Sequence, residues 1–346
     1  MSADIVAKSS GRGRLMAASP LMGVVQIAGA LFVVVSLLVL AVGANPLSVT
    51  WNIVHTPFES LRSVERYLLA LTPILLISCG LAIAFRGGLY NIGGDGQFLM
   101  GGIVGAGLGI ELANAPSAVA APLVLVVGAL GGAAWGALSG WLRGRYGVSE
   151  VLTSLLLLFI ADFILRYLIR DPWRDGFLTQ SARLPDSAKL PNLPGLDVHI
   201  GLLLGLGLVP LLWATVNHTP FGFRLQAIGA NEEVARASGI SVERTATMAM
   251  ALSGACAGIA GAIQVVHAQG RLTIGLNSAL GFTAIVVVLV ARMRAFGVLV
   301  ASAFIVMLIV GSESLQRSEG LSSFIVPVIQ ALAILIVLVV EKRRTA

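Results

Sequence analysis

Apolar residues run through this chain in long, nearly uninterrupted stretches, and polar residues gather between them. A helix crossing a bilayer takes ~20 apolar residues, whereas a membrane-spanning strand takes about ten in alternation. The stretches here are of the first kind. Ten are candidates: Leu21–Ala44, Tyr67–Phe85, Phe98–Leu112, Ala118–Leu142, Val151–Ile169, Ile200–Val216, Met248–Val266, Leu280–Val290, Val298–Gly311 and Phe324–Val340. The third, eighth and ninth are short. The pattern predicts an all-α polytopic membrane protein with about ten transmembrane helices, some broken or re-entrant, in one membrane domain over 1–346. Residues 1–20 form a tail. Two connections are too long to be simple turns: 170–199 is polar and proline-punctuated, and 217–247 has a helical pattern of its own.

The first stretch follows Lys8, Arg12 and Arg14, so a signal peptide is the competing reading there. Its apolar length exceeds the ~7–15 residues of a signal core, and it reads as an uncleaved first helix.

Composition narrows the class. Hydrophobic residues make up 57% of the chain and charged residues 12%, against about 25% charge in a soluble domain. A mean hydropathy of +0.91 leaves too little charge to cover a solvated surface. Soluble enzyme, disordered chain and disulfide scaffold are excluded. Cys79 and Cys256 lie in apolar runs and read as packing residues.

The net charge of +6 has a topological explanation. Ten spans put both termini on one side, and that side collects fourteen basic residues against nine, four of the nine in the long 170–199 loop. The positive-inside rule then places both termini in the cytoplasm, the 170–199 loop outside and the 217–247 loop inside. No nucleic acid is needed to account for the basic balance.

Glycine marks two kinds of feature. Gly128, Gly132, Gly136 and Gly140 recur every fourth residue, as do Gly101, Gly105 and Gly109, with Gly254 and Gly258 in a later span. That spacing puts small residues on one helix face and predicts close backbone packing. The run from Gly87 to Gln97 differs, because its glycines stand beside Asn91, Asp95 and Gln97 between two apolar stretches. Unwound backbone with polar side chains at membrane depth suits a binding or gating break, and an ordinary polar turn is the alternative. Asp162 lies inside a span, one turn before Arg166; the pair can neutralise itself, or Asp162 can serve as an intramembrane proton site.

Other chemistry is missing. No GxxxxGK[ST] run occurs, none of the three lysines follows a glycine-rich loop, and His55, His199, His218 and His267 stand isolated without metal-ligand spacing. No nucleophile constellation is present.

The segment Thr219–Ile240 carries the strongest signal. Glu233-Val234-Ala235, followed by Gly239, resembles the Glu-Ala-Ala-xxx-Gly coupling element of ATP-binding cassette (ABC) importer permeases, with Val in the middle place. The expectation is a short helix over Glu232–Ser238 that Gly239 ends with a positive-φ cap. Gly88-Leu89-Tyr90-Asn91-Ile92-Gly93-Gly94-Asp95-Gly96-Gln97 resembles the Gly-Leu-Phe-Asn-Ile-Gly-x-Glu-Gly-Gln element of nucleoside members of the branched-chain amino acid, simple sugar and nucleoside permease family, differing at Tyr90 and Asp95. Gly147-Val148-Ser149-Glu150-Val151 and Pro172-Trp173-Arg174-Asp175 resemble the same branch, where Asn more often precedes the Glu.

The resemblance implies a permease subunit of an ATP-driven importer in a bacterial inner membrane. It binds no cofactor itself; ATP and Mg belong to a separate ATP-binding subunit. Further partners are a second homologous permease chain, an external substrate-binding lipoprotein or protein, and membrane lipid. Ala230, Asn231, Glu232, Glu233, Ala235 and Gly239 are then coupling residues, and Asn91, Asp95, Gln97 and Glu150 belong to the substrate pathway. A nucleoside is the expected cargo, with ribose or another simple sugar as the alternative. A proton-coupled carrier using Asp162 or Asp95 is the rival of another class.

Overall fold

The computed structural model describes residues 45–276 and 279–318, with isolated positions outside these ranges. The chain divides into two compact units, Met1–Thr50 with Ser322–Ala346, and Trp51–Leu321; every contact below lies within the second. Its α-helices are α1 (Pro46–His55, shared between the units), α2 (Leu61–Arg86), α3 (Gly94–Glu111), α4 (Ser117–Tyr146), α5 (Glu150–Arg170), α6 (Gly201–His218), α7 (Pro220–Ala230), α8 (Glu232–Ala237), α9 (Val242–Ile263), α10 (Leu280–Val290) and α11 (Ala295–Ser318). No strand longer than an isolated bridge occurs among the described residues.

The expected spans from Tyr67 to Gly311 all fall on helices, while Leu21–Ala44 and Phe324–Val340 lie outside the described residues. Among the described residues six helices are long and apolar enough to cross a bilayer: α2, α4, α5, α6, α9 with its extension to Gln269, and α11. The short helix α10 has 11 residues, which at 1.5 Å each rise only about 16 Å. Helix α1, rich in polar residues, has no counterpart among the apolar stretches.

Helix α2 is buried on every side from Leu71 to Phe85 and forms the axis of the core. Helix α5 is its opposite, exposing Leu152, Leu156, Phe159, Phe163 and Tyr167. An apolar face of that size suits lipid contact.

The glycine stripes on α4 and α9 meet each other. A Cβ on Gly132 would overlap the Gly254 carbonyl, one on Gly136 the Met250 carbonyl, and one on Gly258 the Gly128 carbonyl. Rising numbers on α4 meet falling numbers on α9, so the pair is antiparallel; Gly101 beside Gly258 and Gly105 beside Ala262 make α3 parallel to α9. Backbone approach of this kind replaces the side-chain interlock of a soluble core.

The 170–199 loop covers the end of the bundle remote from α8. It buries Leu184, Leu190 and Val198 and pairs Gln180 with Thr273. Asp162 bonds Arg166 at 2.6 Å on the same helix, the self-neutralising arrangement.

Candidate functional site

Helix α2 ends where glycine allows it to. Gly88 has φ +68°, and the Leu89 and Gly88 N–H groups donate to the carbonyls of Ala84 and Phe85, closing the last turn. The chain then folds back along α2, so that Gly94, the first residue of α3, lies against Ile77 and Leu81. Helix α3 thus starts inside the bundle. Residues 87–93 form a re-entrant break.

Polar side chains fill that break and bond to one another. Asn91 Nδ2 donates to Gln97 Oε1 and to Ser253 Oγ, both at 2.9 Å, and Gln97 Nε2 donates back to Asn91 Oδ1 at 3.1 Å. Asn91 Oδ1 also accepts from the Gly93 N–H, and Ser154 Oγ accepts from the Ile92 N–H. Asn91, Asp95 and Gln97 are each at most 1% exposed. A satisfied buried network of this kind fixes one geometry.

Asp95 lies in the first turn of α3, and its Oδ1 accepts from the Gly281 N–H, in the first turn of α10, at 2.7 Å. One carboxylate therefore serves two helix N-termini, where the partial positive charge favours it. The other oxygen, Oδ2, is buried with no partner. At the far end of α10, Arg86 Nε donates to the Met293 carbonyl at 3.1 Å.

Glu150 and Arg143 connect the break to the 217–247 loop. Glu150, first residue of α5 and buried, accepts from the Tyr90 N–H through Oε1 at 3.2 Å and pairs with Arg143 through Oε2. The other arm of the Arg143 guanidinium meets Glu232 Oε2 at 3.0 Å, and Glu232 Oε1 accepts from Arg236 at 3.0 Å. The result is a continuous chain from α8 to the break: Glu232, Arg143, Glu150, Tyr90. Backbone packing runs beside it, since a Cβ on Gly229 of α7 would lie 2.5 Å from the Arg86 carbonyl oxygen.

Helix α8 has the anticipated form. Asn231 caps it through the Val234 N–H, Gly239 adopts φ +82°, and the Ile240 N–H returns to the Ala235 carbonyl. Ala235 seats it against Ile228 and Val242, a small cluster apart from the main core. Glu233 and Val234 face outward. The helix stands on one small contact with its other face open.

Residues 63–340 match the family described as branched-chain amino acid transport system / permease component. The chain belongs to this permease family. The permease is 33% identical to the glucose ABC transporter permease TsgB13 of Haloferax volcanii, over 79% of this chain and 75% of that one. It is 30% identical to the guanosine ABC transporter permease NupP of Bacillus subtilis, over 90% and 89%. With the ribose import permease RbsC of Escherichia coli K12 it shares 26% over 90% and 92%. No solved structure matches.

The fold brings Asn91, Asp95, Gln97 and Glu150 into one region and ties it to Glu232. Arg143, Ser154, Ser253 and Gly281 complete the network, and reasoning from sequence missed all four. Arg143 stood out only as a basic residue at the end of a span. The histidines also need correction: His199 and His267 are not isolated, their ring centroids being 4.5 Å apart. Among the described residues no group of three metal-ligating side chains forms.

Proposed function

We propose that this chain is the membrane subunit of an ABC importer that brings nucleosides into the cytoplasm across a bacterial inner membrane, with simple sugars as the second cargo class. ATP and Mg act on a separate ATPase, and a second homologous permease and an external binding protein complete the machine. Ten crossings with both termini inside complete the topology. The family match supports the permease role. The guanosine permease relative, and a Gly88–Gln97 motif that departs from the nucleoside pattern at only two residues, support nucleoside cargo.

The observation that carries the mechanism is the fork of Arg143 between Glu232 and Glu150. Closure of the ATPase against the open face of α8 displaces Glu232. The displacement passes through Arg143 and Glu150 to the break at Tyr90, and through Gly229 to the end of α2. Asn91, Gln97 and Asp95 hold the N-termini of α3 and α10 in register, so the break moves as a unit. Differential affinity of the ATPase for the two arrangements supplies the free energy. The proton-coupled reading loses one of its two candidate carboxylates, because Asp162 is closed by Arg166, and the other, Asp95, is tied to the Gly281 N–H.

The test is uptake of labelled guanosine, ribose and glucose by cells that carry or lack the chain. Uptake of guanosine that depends on both the chain and ATP supports the reading. Uptake that survives loss of the chain, or that follows a proton gradient in ATP-depleted cells, overturns it. Asn91→Ala and Gln97→Ala should lower all transported solutes in proportion; a changed ranking among them would mean direct substrate contact instead.

A further inference from the structure

The bundle holds a second polar region, at the end remote from α8. The loop before α6 and parts of α2, α9 with its extension, α10 and α11 line an open-sided cavity of about 460 Å³. Sites for small molecules span ~300–1,000 Å³. One wall is polar, formed by His199, Gln264 and His267 with Asp197 and Glu313; the other is apolar, with Pro73, Ile74 and Ile309.

Two histidine rings dominate this wall. His199 is 3% exposed, and the buried Nδ1 atoms of His199 and His267 have no hydrogen-bond partner and no accessible surface. Each ring therefore meets the cavity through its other nitrogen, Nε2, which no protein group occupies. The ring of His199 is also seated closely. A Cβ on Gly201 would lie 2.6 Å from its Nδ1, so only glycine at the start of α6 admits it. Burial, reinforced by the neighbouring His267, lowers the His199 pKa to about 4. At neutral pH the ring is uncharged, and its Nε2 can donate or accept according to tautomer.

The geometry points to this cavity as a binding site for an uncharged, hydroxyl-rich ring, a nucleoside or a sugar, on the receiving side of the permease. Hydroxyls would bond His199, His267 and Gln264, and the less polar ring face would rest on Pro73 and Ile74. The Asp197 carboxylate on this wall disfavours an anion, so phosphorylated forms should be rejected. This assignment rests on the importer reading, and it places cargo contact away from Asn91 and Gln97.

Ala268 is exposed and lines the cavity, and both native cysteines are buried. The experiment labels Ala268→Cys in the assembled transporter with an impermeant thiol reagent, in right-side-out and inverted membrane vesicles. Guanosine, ribose, glucose and guanosine monophosphate are the added solutes. The expected result is labelling from one side only, slowed at least threefold by guanosine and unaffected by the monophosphate. Protection by ribose or glucose without guanosine would assign the site to sugars. Adding Gln264→Leu, or separately His267→Phe, should remove the protection and lower uptake kcat/KM about tenfold at equal membrane abundance. Labelling that no neutral solute slows, or no labelling from either side, overturns the assignment. Uptake is measured in the same cells. If it requires the chain while labelling ignores every solute, the cavity assignment alone fails; if it survives deletion of the chain, the importer reading fails.

Discussion

Arg143 sits between two carboxylates of unequal burial, and that asymmetry allows its structural and coupling roles to be separated. The Glu150 side chain is 6% exposed, that of Arg143 25% and that of Glu232 38%. Arg143→Met strands a buried carboxylate, which costs on the order of 3–5 kcal/mol. The Glu232 arm is more than a third exposed and contributes ~0.2–1 kcal/mol after solvent screening. Thermal unfolding of the purified permease should therefore show a large loss for Arg143→Met and almost none for Glu232→Gln. Pairing Arg143→Met with Glu150→Leu should recover most of that loss, since an apolar pair substitutes well for a buried ion pair. Transport should behave differently. In proteoliposomes containing the whole transporter, both Glu232→Gln and the stabilised double variant should move several-fold fewer solute molecules per ATP hydrolysed. Arg143→Lys keeps the charge but lacks the planar fork, and should retain stability while losing coupling. A normal transport-to-hydrolysis ratio in Glu232→Gln and Arg143→Lys would refute the relay and leave Arg143 a local ion pair.

Gly239 offers a cleaner backbone test, because a Cβ there meets nothing within 4 Å. Gly239→Ala should cost roughly 1–2 kcal/mol through its positive φ alone, and Gly239→Val more; uptake should fall in that order while membrane insertion holds, and normal uptake at equal expression would remove Gly239 as the stop of α8. Topology can be read from Phe177→Cys, at a side chain 99% exposed in the 170–199 loop. It should label in intact cells, whereas cysteines at Ser10, Val234 and Thr345 should label only after permeabilisation. Acid should destabilise the permease through His199, whose folded pKa of about 4 lies below its ordinary 6.5. The unfolded chain takes up the proton first, so stability present above pH ~6.5 is lost as pH falls toward 4, by on the order of 3 kcal/mol. His199→Asn should lose that part of the slope, and an unchanged acid limb would contradict the assignment.

Elements fixed by local pattern were legible before any coordinates. Long apolar runs marked the helices, and Gly239 marked the end of α8 through ordinary capping, whereas the Asn231 cap at its start went unread. Glycines spaced by four announced a close approach on α4, although nothing in that spacing named α9 as the partner. Helix α1 escaped because its polar residues interrupt any apolar run. The site was half legible. Asn91, Asp95 and Gln97 were visible as polar groups among glycines, but the bonds between Asn91 and Gln97, and that of Asp95 to Gly281, depend on the chain turning back along α2. The Arg143–Glu232 pair joins positions 89 residues apart, and the two histidines come together only when the loop before α6 meets the extension of α9. Such pairings belong to tertiary packing, which local pattern does not encode.

Helix α10 is held at both ends by charges from elsewhere: the Asp95 carboxylate at its first turn and the Arg86 guanidinium just beyond its last. Its own sequence, LGFTAIVVVLV, is almost uniformly apolar and contributes no side chain to either contact. Substitution of one aliphatic residue for another should therefore be well tolerated along it. Insertion or deletion should not be. One added residue lengthens the helix by 1.5 Å and turns its end by about 100°, which takes one of the two charges off its target. This helix behaves as a spacer, with strict length and permissive composition, and point-substitution libraries would underestimate its importance where single-residue indels would reveal it.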